Sequence, residues 1–453
     1  MEHILNTEYY CLEDDKCLED DKILRLVNSA TGEWNVLFKD DFPVDIKTKN
    51  GQWNSQFIQY AKNNLFKQSV SEVEMPCHDK INLIIVDTTN TCNLRCKYCS
   101  VTATEKGVML TPKTAITGFR NILELDNIST PLTVEFSGGE PLINFELIRE
   151  LVATFKDVAA AKNVKLRFAI QTNGVLMTNE IAQFFSENHF SVGISIDGNE
   201  TWNKERIDAS GKCVYDKVIK SFDILRSNGV NSFSTLGVVH DPDQYLSYVK
   251  FAKANRITNF RLNTLTNIGR SRDQMEAGKS VSFIPEIYVE KYIEMAKTLI
   301  LDPNYVGMRE ANLEYYLWAL LDWQPHMCFR TPCGAGRNQL HISAYGEIFP
   351  CQDWRSIGDA SLGMIHDCMD VRKYIESSER VRQLSVPNYE RHPELCGDCA
   401  WKMRCGVCSR ELYTEYTGNG KKIGLCEFQN GVYEELIKLI SLHTNKVFDY
   451  LQV

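Results

Sequence analysis

The sequence predicts a mixed α/β fold: a partial (β/α)6 TIM-like barrel, preceded by a small N-terminal α+β module and followed by a C-terminal cysteine-rich domain. Three observations carry this. Six short apolar runs between Asn82 and Leu265 alternate with helix-like stretches, the pattern of a parallel sheet covered by outer helices. Cysteines concentrate in two places, TCNLRCKYCS (Thr91–Ser100) and the loop-rich stretch from Cys328 to Cys426. The chain of 453 residues is 43% hydrophobic and 24% charged, long enough for about three domains of ~150 residues. The expected divisions are 1–80, 81–310 and 311–453.

Residues 1–80 come first. ILRLVNSATGEWNVLF (Ile23–Phe38) reads as two strands around an S-A-T-G-E turn, and WNSQFIQYAKNNLF (Trp53–Phe66) as a short amphipathic helix. The apolar runs then follow as NLIIVD, LTVEFS (Leu132–Ser137), KLRFAIQ (Lys165–Gln171), SVGISID (Ser191–Asp197), FSTLGVV (Phe233–Val239) and NFRLNTL (Asn259–Leu265). Near-continuous apolar runs suit strands buried on both faces. A partial barrel and an open doubly wound sheet both accommodate them, and in either the functional loops lie beyond the carboxyl ends of the strands. A longer helical region (Ile284–Trp323) leads to the cysteine-rich segment, and a final helix, VYEELIKLISLHT, packs back on the body.

The formal net charge of −9 argues against a nucleic-acid backbone as partner. The N-terminal stretch lacks a basic flank followed by an apolar run, and no apolar run approaches the ~18 residues of a membrane span. A cytoplasmic location is expected. In a reducing cytosol the sixteen cysteines are poor disulfide formers, so those closely spaced read as metal ligands. Cys11, Cys17, Cys77, Cys213 and Cys368 stand apart and read as incidental thiols. The first two sit in a tandem hexapeptide, CLEDDKCLEDDK.

TCNLRCKYCS spaces Cys92, Cys96 and Cys99 as C-x3-C-x2-C, directly after the first strand. Three thiolates leave one position of a tetrahedral zinc site or of a 4Fe-4S cube open. A distant ligand could close a zinc site. An open iron would instead take a substrate or cofactor.

This triplet, with the aromatic Tyr98 before its last cysteine, resembles the radical S-adenosylmethionine (SAM) superfamily. The resemblance implies a 4Fe-4S cluster on Cys92, Cys96 and Cys99. Its open iron would bind S-adenosyl-L-methionine, and one electron would release a 5′-deoxyadenosyl radical. FSGGEPL (Phe136–Leu142) resembles the family's GGEP motif, so Gly138 and Gly139 would allow close backbone approach and Glu140 would accept from the methionyl ammonium. SIDGNETWNKERI resembles its S-x-D-G…R segment, implying Ser195 on the ribose and Arg206 on the methionyl carboxylate; Tyr98 joins this cofactor set. QTNG (Gln171–Gly174) fits a turn near the same pocket.

The later cysteines, Cys328-x4-Cys333, Cys351, Cys396-x2-Cys399-x5-Cys405-x2-Cys408 and Cys426, resemble the SPASM domain of peptide and protein maturases, with x2 where that family usually has x3 before Cys408. The likeness implies two auxiliary clusters, one on Cys328, Cys333, Cys351 and Cys408, the other on Cys396, Cys399, Cys405 and Cys426. Sulfatase-maturing members carry a basic Asp directly after an auxiliary cysteine. Here Gln352 follows Cys351 and Asp353 comes next, which makes Asp353 the candidate proton acceptor. The implied function is hydrogen abstraction from a peptide or protein side chain with net oxidation, a crosslink in a ribosomally made peptide being favoured over formylglycine formation. A zinc-binding scaffold is the alternative from another class. The implied partners are a precursor peptide with a leader, held by the N-terminal module, and a flavodoxin- or ferredoxin-type electron donor.

Overall fold

The computed structural model describes residues 2–3, 9–12, 23–38, 53–65, 80–265, 269–271, 283–321, 326–415 and 423–452. Cys17, Cys77 and most of the tandem hexapeptide lie outside them.

A four-stranded sheet in the order β1-β2-β3-β4 (Glu2–His3, Tyr9–Leu12, Ile23–Asn28, Trp34–Phe38) opens the chain. The expected pair of strands is its β3–β4 hairpin, turned at Gly32 with φ +73°. The expected helix follows at Ser55–Asn64, its first turn capped by the Asn54 side chain on Gln56 N–H at 2.9 Å. Phe57 and Ala61 of that helix pack with Leu24, Leu26 and Cys11 of the sheet. The module docks on the C-terminal half: the Trp34 indole donates to the Leu320 carbonyl at 2.7 Å, and Arg404 to the Gly32 carbonyl at 2.6 Å.

The second sheet has ten strands. β5 (Ile81–Thr89), β6 (Ile128–Gly138), β7 (Leu166–Thr172), β8 (Ser191–Ser195), β9 (Ser234–Val239) and β10 (Asn259–Thr264) are parallel and adjacent in chain order. A doubly wound sheet reverses its order at a switch point, and this one does not, so the six expected runs form the partial-barrel arrangement. β11 (Arg309–Glu310) extends one edge beside β10. At the other edge β12 (Gln339–Ile342) pairs in parallel with β5 and leads into antiparallel β13 (Glu347–Phe349) and β14 (Gly363–Met364). The cysteine-rich region thus continues the barrel sheet.

Side chains alternate across a strand. Val86, Val134, Phe168, Ile194, Leu262 and Leu340 join one core with the outer helices. Residues of the opposite parity, among them Asp87, Glu135, Gln171, Ser195, Arg261 and His341, face the concave side. The helix Phe145–Ala160 shows the matching period, burying Leu147, Ile148, Leu151, Val152, Phe155 and Ala159.

The long helical region resolves into two helices, Pro285–Leu301 and Ala311–Leu320. The break lies at Asp302, extended at ψ 116°, as the residue before a proline prefers. The last helix is longer than expected, Gly424–Leu451 with a kink at His443, and it packs on Pro285–Leu301.

Candidate active site

β5 runs directly into the cysteine loop. Cys92 N–H donates to the Thr104 carbonyl at 2.7 Å, while Arg95 N–H and Lys97 N–H donate to the Ile207 and Glu205 carbonyls at 2.6 and 3.1 Å. Arg270 straps the far side, its Nε on the Cys96 carbonyl at 2.9 Å and its Nη1 on that of Ala103 at 3.0 Å. The loop is therefore held between the Glu205–Asp208 segment and Arg270. Burial pushes the Cys92 thiol up to about 12 and raises that of Cys96. Such thiols become thiolates when a cation binds them.

Gly138 and Gly139 end β6 against this loop. A Cβ on Gly138 would sit 2.1 Å from the Thr89 carbonyl oxygen, and one on Gly139 2.2 Å from that of Thr91. Only glycine permits that approach. Glu140 follows, 1% exposed. Its Oε1 accepts from Thr172 Oγ1 at 2.6 Å and Leu142 N–H at 3.1 Å, and its Oε2 from Asn173 N–H at 2.7 Å. Burial raises its pKa against the opposing pull of those bonds. Three of roughly four acceptor positions are thus used within the protein, leaving one on Oε2.

Asn173 closes the ring. Its Nδ2 donates to Asn93 Oδ1 at 2.8 Å and lies 3.9 Å from Cys92 Sγ. QTNG marks this turn in the sequence, and the one signal for Asn173 there is its place in a motif at a strand end.

Arg206 and Tyr98 meet on the other side of the triplet. Arg206 Nη1 donates to the Tyr98 hydroxyl at 2.8 Å, and that hydroxyl donates to Asp197. Asp197 also accepts from Val238 N–H at 3.0 Å, and the His240 ring packs 4.5 Å from that of Tyr98. The buried Nε of Arg206 has no partner, so it retains a donor for an incoming acceptor. Ser195 Oγ accepts from Gln171 Nε2 at 2.8 Å, which leaves its own hydrogen free to donate.

A cavity of about 570 Å3 opens next to the Gly138–Gly139 end of β6. One wall is the cysteine loop from Ser100 to Lys106 with Gly138 and Gly139; the facing wall includes Gln352, Asp353, Arg355 and Arg410. Cys351, just before Gln352, has Asp353, Cys333, Cys408 and Cys328 as its charged neighbours, and burial raises its thiol. Cys426 has Cys405, Cys396 and Cys399, and burial raises it too. Cys333, Cys408 and Cys328 are thus near enough to Cys351 to act on it electrostatically, as Cys405, Cys396 and Cys399 are to Cys426. Cys92, Cys96, Cys99, Cys328, Cys333, Cys351, Cys399, Cys405, Cys408 and Cys426 form no disulfide, and among the described residues no three His, Cys, Asp or Glu side chains converge on a single ion. Thiolates on a four-iron cube bind separate irons and need no such convergence. The donor set, the raised thiols and the unpartnered Arg206 Nε fit a cube with SAM beside it. No helix among the described residues is long and apolar enough to cross a membrane.

Comparisons with known proteins agree. Residues 86–252 match the Radical SAM superfamily. The cysteine-type anaerobic sulfatase-maturating enzyme of Clostridium novyi is 24% identical over 82% of this chain and 99% of that one. The radical SAM cyclopropyl synthase TigE of Paramaledivibacter caminithermalis is 21% identical over 92% of this chain and 85% of that one. Among solved structures, native anSMEcpe with bound AdoMet and Cp18Cys peptide superposes with a TM-score of 0.65 at 20% identity, covering 80% of this chain and 99% of that one. That likeness fixes the fold. With the triplet, the Gly-Gly-Glu turn and the strand order in place, the chain carries a radical SAM domain.

Proposed function

We propose that the chain is a radical SAM maturase that oxidises a side chain of a peptide, with a crosslink in a ribosomally made precursor as the product. One observation carries the reading: the segment that follows the cysteine triplet, with Gly138 and Gly139, lines the same cavity as Gln352 and Asp353, the two residues after Cys351.

Cys92, Cys96 and Cys99 would hold a 4Fe-4S cluster, which together with SAM would supply the radical chemistry for removing a hydrogen atom from the substrate. The chain does the rest. The free acceptor on Glu140 takes the methionyl ammonium, Arg206 Nε the carboxylate, and the Ser195 hydroxyl the ribose. Tyr98, pinned by Asp197 and Arg206, walls the cofactor. Cys328, Cys333, Cys351 and Cys408 would hold one auxiliary cluster, and Cys396, Cys399, Cys405 and Cys426 the other. Asp353, exposed at the cavity wall, accepts the substrate proton. The first electron comes from a flavodoxin- or ferredoxin-type donor.

TigE aligns over more of this chain than the sulfatase-maturating relative does, 92% against 82%. Together with the N-terminal four-stranded sheet this favours a peptide with a leader, which would add a strand to a sheet edge. The test is anaerobic incubation with SAM, dithionite and a candidate precursor peptide. The expected product has lost two hydrogens within a new bond, with one 5′-deoxyadenosine formed per product. A sulfatase-derived cysteine peptide converted to formylglycine, with the precursor untouched, would favour the other maturase class.

A further inference from the structure

The turn after Cys351 is fixed at three points, and one of them is a strand residue to which no function has been given. Gln352–Ser356 is a single short 3-10 turn. Trp354, 1% exposed, anchors it downward into the cluster of Cys351, Ala335 and Phe349, with the Arg380 guanidinium 4.8 Å from its ring. The other two anchors cross to the barrel. Gln352 Nε2 donates to Ser137 Oγ at 2.7 Å and approaches Asp87 Oδ1 at 3.4 Å. Arg355 Nη1 donates to Asp87 Oδ2. His341 Nε2 lies 3.0 Å from the same oxygen.

Asp87 is buried at the end of β5, five residues before Cys92, and Ser137 immediately precedes Gly138. Burial would raise the Asp87 pKa, but Arg355 and His341 outweigh it and hold the carboxyl at about 2. The ion pair is thus intact at any working pH. With Gln352, Trp354 and Arg355 all engaged, Asp353 is left as the exposed carboxylate of the turn, on the cavity wall.

We infer that Asp87 is a positioning residue: through Arg355 and Gln352 it fixes the Cys351–Ser356 segment against the strand ends that carry the SAM motifs, and so sets where Asp353 and the Cys351 cluster meet the substrate. The inference rests on the reading that this cavity takes the peptide. The Asp87 side chain pairs with Gln352, Arg355 and His341 rather than with the proposed SAM ligands Glu140, Ser195 or Arg206, so its loss acts on the substrate step. Misplacement of a reacting group by about 1 Å costs on the order of a hundredfold.

The test measures product formed per 5′-deoxyadenosine, with KM for SAM, in iron-loaded Asp87→Asn, Arg355→Gln and the double variant. Expected are a ratio lowered on the order of ten- to a hundredfold, an unchanged KM for SAM, and a double variant no worse than either single, because the two act as one pair. Gln352→Leu breaks the second crossing without baring a buried charge and keeps the test open if the charge variants fold poorly; its ratio should also fall. A wild-type ratio in Asp87→Asn and Gln352→Leu, additive losses in the double variant, or a raised KM for SAM would each overturn the inference. If wild-type enzyme makes 5′-deoxyadenosine but never modifies peptide, the reading of the cavity fails instead. The electron paramagnetic resonance spectrum of the reduced Cys351 cluster then decides: altered g-values in Asp87→Asn support the positioning role, and a wild-type spectrum in every variant refutes it.

Discussion

Glu140→Gln separates the two jobs that the structure gives this side chain. The carboxylate receives three protein donors, Thr172 Oγ1, Leu142 N–H and Asn173 N–H. An amide has one acceptor oxygen. Its best orientation keeps that oxygen at Oε1, where two donors converge, and turns the NH2 toward Asn173 N–H. One buried backbone donor is then orphaned, at about 1–3 kcal/mol. The other orientation orphans Leu142 N–H and forces the Thr172 hydroxyl to rotate, which costs more. Cofactor binding loses a second quantity, the charged hydrogen bond to the methionyl ammonium, about 1.5–3 kcal/mol. That corresponds to SAM binding weakened roughly ten- to a hundredfold. The assays are thermal unfolding of the iron-loaded variant and a SAM titration followed by the spectrum of the reduced cluster. Lower stability with wild-type affinity would mean that Glu140 only braces the Asn173 turn. Wild-type values of both would refute the account of this residue.

Other consequences are equally open to measurement. Replacing Cys92, Cys96 and Cys99 together by Ala should remove about four of about twelve irons; a full complement of iron in that variant would place the clusters elsewhere. Asp353→Asn should leave KM for SAM alone and slow product formation by roughly 10²–10⁴-fold; a wild-type rate would show that another group takes the proton. Stability should fall as pH rises from 4.5 to 7 because of Glu135, whose pKa is raised from 4.5 to about 7 by burial and Asp87 against the pull of Arg261. In that window the folded carboxyl stays neutral while the unfolded one ionises, so unfolding gains up to roughly 3 kcal/mol at ~1.4 kcal/mol per pH unit. Glu135→Gln should flatten the dependence of the unfolding temperature on pH, and an unaltered profile would show that Glu135 does not carry it.

The periodic features were legible before the structure. Six apolar runs became six adjacent strands because each buries an alternating face against outer helices, and that burial dominates local choice. The Cys92 triplet, the Gly-Gly-Glu turn and Arg206 were legible because they are local patterns with fixed spacing. The partition of the C-terminal cysteines between two clusters follows from the motif's spacing alone. What did not show was long-range pairing. Nothing in NLIIVD distinguishes Asp87 as the partner of Arg355, which lies 268 positions away. Nor does the pattern around Gln339–Ile342 announce a strand that joins β5 in parallel, because four residues carry too little periodicity. The motif presents Glu140 as a cofactor ligand alone, since its three protein donors come from backbone and side chains that meet it only in the fold. The break at Asp302 was in principle visible in the Pro303 that follows it.

The central claim is that the Cys92 loop holds a cluster with one iron open to SAM. Its most direct test is the 5′-deoxyadenosine released by the anaerobically reconstituted chain with SAM and dithionite, measured beside the variant lacking Cys92, Cys96 and Cys99. The account predicts release by the wild-type chain and none by the variant. A folded, iron-loaded wild-type chain that releases none, or a variant that releases as much, would contradict it.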